Sequence, residues 1–376
     1  MTMMKEGKDA DRPPARRRVA ALLWLAAVAM AIVAAAGLLQ LGAGSYGMTW
    51  RQALAALTDG LVWGDRATLA HFFLGRDLAH GLGFGDPGTL PTETLIVWTV
   101  RLPRVLVGIM VGINLALSGS IFQAITRNEM ASPYLLGVSS GAGLSILVVL
   151  VLFPALGPFL PLIAMLGGTA AFVVVYAIAW HHGASPVRLV LAGVIVGAIT
   201  GSLQAALFFF AKDIAIVQNA LAWTTGSLTG VGWEQVRMVA PWTLVCVVLA
   251  LSGARYLDVL LLGDSTAKSL GMKVEHARFL LAATAILAAA SSVAVAGLVG
   301  FVGLIVPHIV RNTVGSLHRH LLVGSLFAGP ALLVSADTTA RLVLSPVQIP
   351  VGIVTGVIGG GFFLYLMRRR RDFGKL

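Results

Sequence analysis

The chain has 376 residues, 57% of them hydrophobic and only 11% charged. A soluble domain carries about 25% charged residues, so this composition, with a mean hydropathy of +0.89, excludes an ordinary water-soluble fold. The net charge of +11 would suit a nucleic-acid binder. In so apolar a chain it reads instead as positive charge kept on the cytoplasmic side of a membrane, and no nucleic-acid partner is expected.

Apolar runs of about 18 residues or more recur along the chain, which predicts an all-α, polytopic membrane protein. The single Cys246 offers no disulfide framework. Residues 1–18 form a polar tail ending in Arg16, Arg17 and Arg18. The apolar run Val19 to Leu41 is too long for a signal-peptide core and predicts an uncleaved first span with a cytoplasmic N-terminus. The polar interval 42–100, with Trp50 and Trp63, is expected outside, and Trp50 to Leu57 suits an interfacial helix.

A second helix is expected inward over Val105 to Ile125, a third outward over Leu135 to Phe153, and a fourth inward over Phe159 to Trp180. His181 and His182 follow; adjacent positions on a helix diverge, so a loop is expected there and no metal. The fifth helix covers Leu189 to Phe210, with Lys212 and Asp213 at its outer end. Ala220 to Trp233 has the Gly, Thr and Trp of an interfacial or re-entrant piece. The sixth covers Val236 to Leu257.

The segment 261–278, LLGDSTAKSLGMKVEHAR, breaks the hydropathy. Asp264 is placed to cap a short helix and Gly271 to end it. The seventh helix covers Phe279 to Leu298. A turn with Gly297, Gly300 and Gly303 leads to a shorter eighth through Pro307 and His308. The ninth covers Leu321 to Leu342 and the tenth Pro350 to Met367. Ten spans with both termini inside result: a transmembrane domain over 19–367 and a basic tail over 368–376. Arg127, Arg188, Arg311, Arg319 and Arg368 fall inside, whereas Arg101, Arg104 and Arg341 sit outside against the charge rule. The broken exit of helix two resembles that of helix seven; the first runs inward and the second outward, an inverted repeat of the kind common in transporters.

The chain has no phosphate-cradling G-x-x-x-x-G-K-[ST] loop, no HExxH, no CxxC and no Ser/His/Asp arrangement. No catalytic residue, metal site or cofactor is expected. The residues alone leave open an ion-coupled carrier, a channel, or the membrane half of a pump. Nearly every charge falls at a predicted helix end rather than at mid-membrane, where coupling ions bind. That favours power arriving from another subunit, and the helix within 261–278 is a place to receive it.

The stretch Arg101 to Gly143, RLPRVLVGIMVGINLALSGSIFQAITRNEMASPYLLGVSSGAG, resembles the signature of the FecCD family, the permease subunits of type II ABC importers for ferric siderophores, haem and cobalamin. The likeness runs from about Leu95 to Met367. It implies the type II importer permease fold in a bacterial inner membrane. The implied partners are two ABC ATPases, an extracytoplasmic substrate-binding protein, a second permease copy or homologue, and membrane lipid. Helices five and ten would line the path between the copies. The likeness also implies roles for particular residues. Gly263, Asp264, Ala267, Leu270 and Gly271 would dock on an ATPase. Arg101, Arg104 and Arg341 would hold carboxylates of the binding protein. Asn128, Met130 and the turn Ser185, Pro186, Val187 would form a cytoplasmic gate. The AWTTGSLTG stretch and Gln348 favour a ferric siderophore as cargo, with haem or cobalamin as alternatives and an ion-coupled secondary carrier as the reading from another class. Glu129 stands where the family usually has Pro, Met130 where it has Leu, Gln348 where many members have Glu, and Gly361 where many have Pro.

Overall fold

The computed structural model describes residues 15–42, 44, 46–134, 136–180, 186–211, 213–345 and 347–369, and every regular element among them is helical. α1 (Ala15–Gly42) is the first span. The outer interval folds into α2 (Trp50–Leu57), α3 (Gly60–Trp63), α4 (Arg66–Leu74) and α5 (Arg76–Gly81). A capping box starts α2: the Thr49 hydroxyl accepts from the Gln52 N–H, and the Gln52 side chain accepts from the Thr49 N–H. Ala53 and Ala56 are buried while Trp50 is exposed, the amphipathic helix expected there.

α6 (Thr92–Ile96) passes through a π turn, Val97–Arg101, into α7 (Leu102–Thr126). The result is one apolar helix of 35 residues, beginning well before the predicted Val105. Pro91 starts it and Glu93 sits in its first turn, where a carboxylate suits the helix dipole. Trp98 then binds it to the outer helices: its ring stacks on Phe72 at 5.5 Å, and its indole N–H donates to the Ala56 carbonyl.

α8 (Val138–Leu152), α9 (Leu160–Ala179), α10 (Pro186–Phe208), α11 (Ile214–Thr225), α12 (Trp233–Leu261), α13 (Asp264–Ser269), α14 (Val274–Ala296), α15 (Val302–Val314), α16 (His318–Leu342) and α17 (Val351–Arg369) complete the order. Among the described residues seven helices are long and apolar enough to cross a membrane, and α8, α15 and α17 are shorter apolar helices. Together they account for the ten predicted spans. α15 is short because its backbone is broken at both ends, by Phe301 at φ 66° and Gly315 at φ 89°. The short piece expected within Ala220 to Trp233 is the end of α11 and the loop to α12. Its backbone pairs with two neighbouring breaks: the Leu298 N–H donates to Trp223, Ser227 to Ala296, and Gly352 to Gly226. Non-helical backbone at membrane depth needs such internal partners.

α7 lies at the centre, packed by α12, α14, α15 and α16. It is buried almost throughout. Small residues permit this. A Cβ built on Gly112 would lie 2.7 Å from the Gly329 backbone of α16, and one on Gly119 would overlap the Gly303 carbonyl of α15. Buried polar side chains add specific contacts. The Ser118 hydroxyl donates to the Ala285 carbonyl at 2.6 Å, and Asn114 donates to the Thr243 hydroxyl at 2.9 Å. In lipid, where apolar surface gives helices no reason to associate, such close approach and hydrogen bonding hold them together. α14 resembles α7 in two respects. Each is 78% buried in its most apolar window, and each leads to a left-handed residue, Arg127 at φ 50° and Phe301 at φ 66°.

One local expectation changes. Gly263, not Asp264, is the N-cap of α13, because the Asp264 carboxylate is taken by two arginines. Gly361 lies inside uninterrupted α17, and a Cβ there would meet open space. His181, His182, Ser185, Lys212 and the tail beyond Arg369 lie outside the described residues.

Gly119→Ala is expected to cost about 1–3 kcal/mol of stability through overpacking. Gly201→Ala on α10, where nothing lies within 4 Å, should cost none. Thermal unfolding midpoints of the two purified variants in detergent check this.

Candidate functional site

The chemistry-bearing residues gather at the two ends of the bundle. At the end nearer α2–α5, the π turn brings Arg101, α7 brings Arg104, and α16 brings Asp337 and Arg341. Arg104 makes a two-pronged pair with Asp337: Nε donates to Oδ2 and Nη2 to Oδ1, both at 2.8 Å. The pair is buried, with side chains 7% and 1% exposed. Gln40 of α1 donates to the same Asp337 Oδ2 at 2.9 Å, and Arg104 Nη1 donates to Gln348 Oε1 at 2.7 Å. Arg101 donates to the carbonyls of Leu41 and Tyr46, and Arg341 to that of Gln40 at 3.1 Å. The Arg101 and Arg341 guanidiniums converge on Gly44, where a built Cβ would lie 3.0 Å and 2.6 Å from them.

Arg341, far away in sequence, therefore meets Arg101 and Arg104. Arg101 and Arg104 are buried, inside a continuous helix rather than at its end, and only Arg341 is partly open. Asp337 is the part that sequence reasoning missed. Its signal was present: a carboxylate inside an apolar run, four residues before Arg341, asks for a partner by default.

At the other end, Asp264 of α13 bridges two arginines. Arg278 Nη2 lies 2.9 Å and 3.0 Å from its oxygens, and Arg127 also pairs with it while donating through Nε to the Leu260 carbonyl. Arg278 is 1% exposed, so Asp264 and Glu275 are what makes its burial tolerable. Burial raises the Asp264 carboxyl, and the Arg278 and Arg127 guanidiniums more than offset that, holding it below the ordinary carboxylate range. On the helix held by this bridge, Leu270 is 63% exposed but Ala267 is fully buried. Ala267 thus packs the segment onto its own chain, and the surface offered to a partner is Leu270 with Gly271.

Beside it, the Asn128 side chain accepts the Met130 N–H at 2.9 Å, a turn that leaves Met130 42% exposed. The αL residue closing α7 is Arg127. Glu129 pairs with Arg311 of α15 at 2.9 Å, which accounts for a carboxylate in place of the usual Pro. Val187 is 74% exposed. No group of three or more His, Cys, Asp or Glu able to hold a metal occurs among the described residues.

A model of the FecCD transport family matches residues 31–369. The chain belongs to the FecCD transport family. The Fe(3+)-citrate import system permease protein YfmD of Bacillus subtilis is 42% identical over 74% of this FecCD chain and 83% of its own length. The hemin transport system permease protein HmuU of Yersinia pestis is 38% identical over 73% and 84%. A solved structure of a metal-chelate type ABC transporter in an inward-facing conformation superposes with a TM-score of 0.75 at 26% identity, covering 93% of this chain and 99% of that one. FecCD membership sets aside the ion-coupled carrier and places the chain among multi-pass ABC permeases, whose ATPase is a separate subunit.

Asp264→Asn in this FecCD chain would take the two-oxygen carboxylate partner from the buried Arg278. A cost of about 1–3 kcal/mol is expected at neutral pH, below the full price of breaking a buried pair because Asp264 keeps solvent access. A carboxyl lowered on folding stabilises above its unfolded pKa of about 3.9 and loses that contribution as pH falls through the folded value. The gap between wild type and variant should close as pH drops below about 4, read as unfolding midpoints across a pH series.

Proposed function

We propose that this chain imports a ferric chelate of the siderophore class across the inner membrane, driven by ATP hydrolysed on a partner subunit. The observation that carries the reading is the division of the two ends. One gathers three arginines around one carboxylate, and the other presents a braced helix with an exposed Leu270. The first suits an acidic extracytoplasmic binding protein, because guanidiniums in excess of acid attract carboxylates bidentately. Asp337 already holds Arg104, so an incoming carboxylate would meet Arg341 first, then Arg101. The second suits the cleft of an ATPase, with Leu270 and Gly271 as the contact and Asp264 as the brace. Asn128, Met130 and Val187 would close the inner exit. The basic residues of the α13 end support a cytoplasmic placement for that end and for both termini.

α10 and α17 leave large apolar side chains open, including Leu191, Ile199, Val357 and Leu364. Such faces suit a second permease copy, with the path between the two. The relative named for Fe(3+)-citrate supports a ferric chelate; the one named for hemin keeps haem as the competing cargo, with cobalamin behind it.

Proteoliposomes holding the permease, its ATPase and its binding protein should take up radiolabelled iron as a siderophore complex, and not as haem, only when ATP is supplied. Leu270→Asp should abolish both uptake and co-purification of the ATPase while the chain still inserts. Iron uptake without ATP, or haem uptake in its place, would overturn the reading.

Arg341→Glu should slow association of the binding protein by about tenfold at low salt, with a smaller effect at high salt, because rim charges act through screened attraction on the association rate. Surface plasmon resonance on nanodisc-held permease measures it.

A further inference from the structure

Between α12 and α14, on the side where α13 joins them, lies a groove of 830 Å³. Its two ends differ in chemistry. Leu249, Leu280 and Leu287 line the part that runs along the two spans, and Tyr256, Lys273 and His276 line the part at the helix ends. Leu249 and Leu280 are 45% and 65% exposed, so the apolar part opens outward. Gly253 contributes to its depth: a Cβ there would lie 2.6 Å from Leu281. No carboxylate lines the groove; the nearby acids Asp264 and Glu275 face Arg278 instead.

We infer that this groove binds one anionic phospholipid of the adjacent leaflet, its acyl chain along Leu249, Leu280 and Leu287 and its phosphate at Tyr256, Lys273 and His276. Both α12 and α14 are long and apolar enough to cross the membrane, so the apolar part lies where acyl chains are the solvent. The polar part lies at the N-terminus of α14, at headgroup level. A cation with two hydrogen-bond donors complements a phosphodiester, and basic pockets between spans are a recurrent mode of anionic-lipid recognition. A soluble protein cannot reach the leucines without entering the bilayer. Gly271, Met272 and Lys273 belong both to the groove and to the link from α13 to α14. On the reading of α13 as the ATPase contact, the lipid would brace that contact from the membrane side.

Lipid retention by the full-length permease, measured by native mass spectrometry from nanodiscs of mixed phosphatidylglycerol and phosphatidylcholine, tests the site without depending on ATPase coupling or on orientation. Wild type should retain phosphatidylglycerol over phosphatidylcholine by about fivefold, the preference that one well-placed basic side chain supplies. Lys273→Glu/His276→Glu, both at exposed positions, should erase that preference. Ala283→Trp, which fills the groove from an exposed position, should lower retention of both lipids. Arg319→Glu carries a like charge change at an exposed site outside the groove and should change nothing. Equal retention of the two lipids by wild type, an unaltered preference in the Lys273/His276 variant, or an equal loss in Arg319→Glu would overturn the proposal.

Discussion

The contact on which the rest of the molecule depends is backbone against backbone. α7 meets α16 at Gly112 and Gly329, and α15 at Gly119 and Gly303, closer than any side chain allows. In a bilayer nothing squeezes helices together as water does. The bundle must therefore be held by dispersion at short range and by buried hydrogen bonds such as those of Asn114 and Ser118. With α7 fixed at the centre, the positions of α12, α14, α15 and α16 follow, and so do the places where Arg104 can reach Asp337 and Arg127 can reach Asp264.

Charge in this protein is spent at the two ends, and differently at each. At the α2–α5 end one carboxylate serves Arg104 while Arg101 and Arg341 lean on main-chain carbonyls, which leaves the cluster cationic. At the α13 end acids and arginines alternate: Asp264 and Glu275 with Arg127 and Arg278, and Glu129 with Arg311. The first arrangement keeps attraction available for something else. The second satisfies itself, and gives a short helix a fixed seat that its own few hydrogen bonds could not provide.

The ten apolar helices were legible in the sequence because hydropathy over about 20 residues is set by the bilayer itself. Less legible was how far α7 extends. Thr92 to Arg101 carries Glu93, Trp98 and Arg101, which look like loop until Trp98 finds Phe72 and the Ala56 carbonyl. The arginines of the outer cluster were nameable, but their burial was not, since Asp337 lies 233 positions from Arg104. Ala267 and Leu270 show the limit on α13: a helix of six residues has no periodicity from which to tell its buried face from its open one. Glu129 was visible only as a departure, and needed Arg311 beside it to acquire a reason.

The unbroken run from Thr92 to Thr126 has a mechanical consequence. At 35 residues it is about 52 Å long, well beyond the hydrocarbon thickness, so it is a rod with both tips outside the oil. Glu93 lies at one tip and Arg127 follows the other, while Arg104 sits only about 8 Å from the middle. A rod pivoting about its middle by about 5° displaces its tips by about 2 Å in opposite directions. The Gly112 contact lies about 5 Å from its midpoint, where such a pivot moves atoms least. The Gly112 contact with α16 and the Arg104–Asp337 pair thus sit near the fulcrum, and the pair between Arg127 and Asp264 sits beyond the end of one lever arm.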